Sequence, residues 1–140
     1  SKTAEAKQNL AYIFRESTTY FATERVERGI DGQDIVAQFP EPTGPTPATP
    51  PKGTRVVVDE FDDSETWVAL KFSVADPIYY SYQYVSTGSS ATGTSASFTA
   101  RANGDLNGDG VYSTFERVGT VNADMNVQGS MGLYEHKPTD

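Results

Sequence analysis

The chain of 140 residues has no cysteine, which removes disulfides, thiol nucleophiles and thiolate-held metals together. It has one histidine, His136, set in a polar tail between Glu135 and Lys137. There is also no nucleophile elbow, no Gly-rich phosphate loop opening a helix and no metalloprotease motif. These absences argue against an enzyme. Apolar runs are short as well: hydrophobic residues make up 36% and mean hydropathy is −0.50. Nothing approaches the roughly 18 apolar residues of a membrane span, and no signal peptide pattern is present. Basic residues are outnumbered, leaving a net charge of −8, which argues against nucleic acid and anionic membrane surfaces as partners.

What is present begins at once. Ala4, Ala6, Leu10, Ile13, Phe14, Tyr20 and Phe21 recur mostly at steps of three and four, as one face of a helix requires. The first helix breaker is Gly29, just after Arg25, Glu27 and Arg28, where a C-terminal cap belongs. The spacing predicts a helix over 1–28, roughly 40 Å long. It is already running at residue 1, with neither Met nor a leading loop, so a removed front half is expected. Residues 1–28 hold five basic and four acidic side chains, a net +1 that leaves −9 to the remainder. A near-neutral helix on an acidic head suits a rod that packs against copies of itself.

Seven of the eight prolines fall between Pro40 and Pro77, so 29–55 is expected to be a stiff connecting loop without helix or central strand. The region 56–123 reads as sheet. Strands are expected at Val56–Val58, Trp67–Phe72, Ile78–Val85, Ser97–Ala102 and Val111–Val118. Tyr80, Tyr82 and Tyr84 share one face, and Phe98, Ala100 and Ala102 another. A sheet on a helix needs inner aromatics, so one tyrosine face is expected to be core. The other reading is an exposed aromatic ladder for glycan or surface adhesion. The tail, 124–140, is polar and Gly-interrupted. Together these predict a single α+β domain, with one long N-terminal helix packed on an antiparallel β-meander.

One motif carries chemistry. Asp105-Leu106-Asn107-Gly108-Asp109-Gly110, followed by five residues and Glu116, fits the calcium-loop pattern D-x-[DN]-x-[DN]-G-x5-E. Asp105, Asn107, Asp109 and Glu116 would offer side-chain oxygens, Val111 its carbonyl, and Ser113 a direct or water-borne contact, with Gly110 at the sharp turn. The same residues read more simply as a metal-free hairpin turn, because Asn-Gly and Asp-Gly are strong hairpin signals. In a strand, Glu116 would point away from the loop. The acidic run Asp59, Glu60, Asp62, Asp63 and Glu65 is a second possible cation site or, more simply, a solvated loop in which Asp63 or Ser64 caps the turn before Trp67.

The run SKTAEAKQNLAYIFRESTTYFATE resembles the C-terminal half of the long N-terminal helix in type IV pilins and pseudopilins. Ser1-Lys2, Glu5-Ala6-Lys7, Asn9-Leu10 and Tyr20-Phe21 are similar to pilins of delta-proteobacterial type. The loop FPEPTGPTPATPP and the stretch WVALKF…YYSYQYV…SFTARANGDLNGDGVYSTF resemble the rest of such heads. The cleavage site and Phe-led apolar stretch of that family are not in this sequence, and the C-terminal disulfide of many pilins has no counterpart. The resemblance implies a major or minor pilin or a pseudopilin, acting by assembly into a cell-surface filament for adhesion or motility. It further implies an inner-membrane precursor with a periplasmic head, and partners that are copies of itself and other pilins; bound calcium is compatible with it. Leu10, Ile13, Phe14 and Phe21 would pack on the chain's own sheet. Lys2, Glu5, Lys7 and Arg15 would either meet neighbouring subunits or form a solvated face of i,i+4 pairs. The alternative reading is an extracellular calcium-binding interaction module built on Asp105–Glu116; a soluble hydrolase is the remotest.

Overall fold

The computed structural model describes residues 2–29, 37–129 and 134–136. Helix α1 (Lys2–Gly29) is the expected long helix and runs through the glycine expected to cap it. Ala6, Leu10, Ile13, Ser17 and Phe21 are buried. Their steps of four, three, four and four hold a single stripe at 3.6 residues per turn. Phe14 lies at the stripe's edge, half-buried, with its ring 5.6 Å from that of Phe98. Residues 30–36 of the connecting loop expected over 29–55 lie outside the described residues.

The stripe covers one face of an antiparallel sheet. Its strands are β1 (Thr43–Thr46), β2 (Tyr80–Ser86), β3 (Ser97–Gly104), β4 (Ser113–Val121) and β5 (Val127–Gly129), hydrogen-bonded in that order. A sixth strand, β6 (Tyr134–His136), pairs with β4 beside β5, opposite Thr114–Glu116. The α+β meander expected from the sequence is therefore present. Tyr80, Tyr82 and Tyr84 are fully buried together with Phe98, Ala100, Ala102 and Phe115. The tyrosine face is core, not an exposed ladder.

Four expectations need correction. Trp67–Phe72 is not a strand: Glu65–Ala69 form a short helix, α2. The Ser64 hydroxyl accepts from Trp67 N at 3.3 Å as its N-cap. Phe72 N bonds Trp67 O at 2.8 Å and Lys71 N bonds Val68 O at 3.0 Å, closing a Schellman end with Lys71 at φ 55°. The helix puts Trp67 and Leu70 into the core together and leaves Val68 exposed, which alternation could not do. Second, Val56–Val58 make a single bridge, Val56 to Ile78, rather than a strand. Third, the Pro-rich segment does contribute a strand, β1, but at the sheet's edge, where Pro45 lacks no required donor. Fourth, the sheet expected over 56–123 continues into the tail, which supplies β5 and β6.

Two glycines let the inner layer close. Phe98 stands opposite Gly119 and Tyr80 opposite Gly104 in the strand register. Each ring lies over its partner glycine: an added Cβ would collide with the Phe98 ring at position 119 and would meet the Tyr80 ring at 2.7 Å at position 104. Phe98 is itself locked, stacked on Tyr84 at 5.3 Å and edge-on to Phe39 at 4.8 Å. Gly119→Ala is therefore expected to destabilise the domain by about 1–3 kcal/mol through overpacking. Urea unfolding of the variant checks this, and an unchanged midpoint would show that Phe98 can move aside.

Candidate functional site

Among the described residues, the seam between α1 and β2 and the β3–β4 loop both gather polar chemistry. At the seam, Glu5 is half-buried and turns toward the sheet. Its carboxylate accepts from Tyr79 N at 2.8 Å and from the Tyr82 hydroxyl at 2.7 Å. Asn9 donates to the same hydroxyl at 2.9 Å. Two turns on, Tyr84 donates to Ser17 Oγ at 2.9 Å while Ser17 donates to the Ile13 carbonyl at 2.7 Å. Lys2 caps the arrangement, with Nζ 3.2 Å from the Leu106 carbonyl and 5.0 Å from the centre of the Tyr79 ring.

Burial pushes the Glu5 carboxyl above its ordinary value, against the lowering effect of the Tyr82 and Tyr79 hydrogen bonds and of Arg55. Burial and the neighbouring Glu5 charge push the Tyr82 phenol well up, and burial does the same for Tyr84. Both phenols stay neutral donors at physiological pH. Because the folded Glu5 holds its proton more tightly than the unfolded chain does, stability falls as pH rises from its ordinary 4.5 through the raised folded value. Unfolding free energies of wild type and Glu5→Gln, compared between about pH 4 and about pH 7, are expected to show this fall only in the wild type. Parallel curves would mean that Glu5 does not titrate differently on folding.

The β3–β4 loop places the motif residues as follows. Asp105 is 1% exposed and its backbone bridges to Lys52. Asp105 Oδ2 accepts from Gly110 N at 3.0 Å, Asn107 Oδ1 from Asp109 N at 3.1 Å and Asp109 Oδ1 from Val111 N at 2.8 Å. Gly108 and Gly110 take φ of 77° and 85°, the left-handed turns that glycine supplies without strain. Val111 lies at the loop's exit and Ser113 is buried at the start of β4. Glu116 is not brought to the loop. It sits in β4 opposite Arg101, on the sheet face away from the helix, and its carboxylate is paired with the Arg101 guanidinium, which also donates to Gln83 Oε1 at 3.3 Å. The acidic run Asp59–Asp63 forms a 3-10 turn with exposed carboxylates, and Ser64, not Asp63, makes the capping bond.

Among the expected packing residues, Leu10, Ile13 and Phe21 are buried and Phe14 is half-buried under the Arg117 guanidinium, 4.7 Å from its ring. Sequence reasoning missed Asn9 and Ser17 and put Glu5 on the wrong side. The available signal was Ser17 itself, a hydroxyl falling within the apolar stripe four residues after Ile13. No protein-family model, curated protein or solved structure matches this chain. Function has to be read from these side chains.

Proposed function

We propose that this chain is a structural subunit of a bacterial surface filament of the type IV pilin or pseudopilin kind, acting by assembly rather than catalysis. The observation that carries this reading is the two-sidedness of α1. Its inner stripe is committed to the chain's own sheet, and its outer side is a continuous exposed row of Gln8, Ala11, Arg15, Thr19 and Ala22. Steps of three and four keep that row on one line along the helix. Small residues at Ala11 and Ala22 permit close approach of another helix, and the near-neutral charge of residues 1–28 spares copies from mutual repulsion. No helix among the described residues is long and apolar enough to cross a membrane, so this part of the chain would serve as head and packing surface. The partners in this reading are other copies of the chain and related pilins, with the head periplasmic before assembly and on the cell surface after it.

A carboxylate placed in a helix–helix seam is left buried without a partner, at a cost of several kcal/mol. Ala11→Glu is therefore expected to lower recovery of the chain in filaments sheared from producing cells by about tenfold or more. Its melting temperature should match the wild type, because the position is exposed in the isolated subunit. Recovery of the wild-type chain only as a monomer from filament-bearing cells would reject the reading, as would normal assembly of the variant.

A further inference from the structure

The β3–β4 loop holds a feature that a hairpin turn does not need. Asp105 Oδ1 is buried and has no hydrogen-bond partner. Its sister oxygen is held on Gly110 N across the loop, which turns the carboxylate inward. A carboxylate oxygen withdrawn from water is costly unless a donor or a cation meets it. Asn107 and Asp109, in the same loop, each accept a backbone N–H from two residues on, which turns the chain locally and leaves each side chain with further lone pairs.

We propose that Asp105, Asn107, Asp109 and the Val111 carbonyl form a calcium site with its remaining positions filled by water. The donors are all oxygen, which selects a hard cation, and the two carboxylates balance its charge. Calcium tolerates such an irregular, partly hydrated shell, whereas magnesium demands a near-ideal octahedron. Among the described residues no group of three or more His, Cys, Asp or Glu side chains is placed to hold a metal. This site draws instead on two carboxylates, one amide and one main-chain carbonyl. Glu116 is not a ligand, because Arg101 holds it on the outer face. Without a bidentate closing acid, and with the Lys2 ammonium on the Leu106 carbonyl, the site belongs to the weak class with Kd of about 10⁻⁴–10⁻³ M.

The test is titration of the whole chain with CaCl2, and separately with MgCl2, followed by calorimetry and by the amide chemical shifts of residues 105–113. The expected result is one site, shifts centred on the loop, and magnesium weaker by about tenfold or more. Asp109→Ala, an exposed position outside the core, should weaken calcium by about tenfold or more, as should Asp105→Asn. Glu116→Gln should bind within about twofold of wild type. The absence of any response at about 10 mM CaCl2 would overturn the proposal. So would unchanged binding in Asp109→Ala, equal affinity for magnesium, or loss of binding in Glu116→Gln, which would return Glu116 to the ligand set. Asp109→Ala decides the matter if Asp105→Asn does not fold.

Discussion

Burying a tyrosine hydroxyl is costly unless a partner meets it, and the partners that α1 offers to Tyr82 and Tyr84 set its position on the sheet. Tyr82 and Tyr84 are both buried completely on the inward face of β2. The helix answers Tyr82 with Glu5 and Asn9, and Tyr84 with Ser17. An apolar stripe of Ala6, Leu10, Ile13 and Phe21 alone would tolerate a slide of one turn, since a different set of similar side chains would meet the same surface. A slide of about 5.4 Å would strip both hydroxyls of their partners at once. Leaving a buried polar group unsatisfied costs about 1–3 kcal/mol, so two such groups separate the observed register from its neighbours by several. Greasy contact supplies the attraction, and the phenols select the alignment.

The rest of the core follows from having aromatics in that layer. Rings as large as Phe98 and Tyr80 fit under a helix only if the opposite strand is thin, hence Gly119 and Gly104 as their cross-strand partners. At the other end, Trp67 needs a partner for its indole N–H and finds Thr46 Oγ1 at 3.1 Å. That bond ties α2 to the edge strand β1. The Pro-rich segment is thus drawn into the sheet by a hydrogen bond from a residue more than twenty positions later, something local propensity does not contain.

This explains what could be read from the sequence and what could not. The periodicities of α1 and of β2 to β4 are local, and they are where the sequence put them. The helix α2 was hidden because WVALKF is rich in apolar residues of ambiguous period, and its helical state rests on the Ser64 cap and on a left-handed lysine at its end. The strands β1, β5 and β6 are short and exist by pairing with partners already in place. For the candidate site, the Asp105–Gly110 turn was legible because its side chains bond within six residues. The place of Glu116 followed from the strand expected over Val111–Val118, in which it points away from the loop, and not from the twelve-residue pattern, which carries no strand register. A period of two sends Glu116 to the outer face, opposite Arg101.

The seam also constrains how α1 could meet another subunit in the proposed filament. Of its polar side chains, Glu5, Asn9 and Ser17 are already committed to the chain's own sheet, and Lys2 reaches the Leu106 carbonyl. Arg15 lies over the Tyr12 ring at 5.2 Å, and Thr19 bonds back to the Arg15 carbonyl at 3.2 Å. What remains on the outer row is short-ranged: small side chains, hydroxyls and the stems of long ones. Exposed ion pairs contribute about 0–1 kcal/mol each and are weakened further by salt. Contacts along this helix would therefore depend on close fit over many residues rather than on a few charges. The −9 carried by the remainder of the chain would keep the outer surfaces of such an assembly apart and in solution.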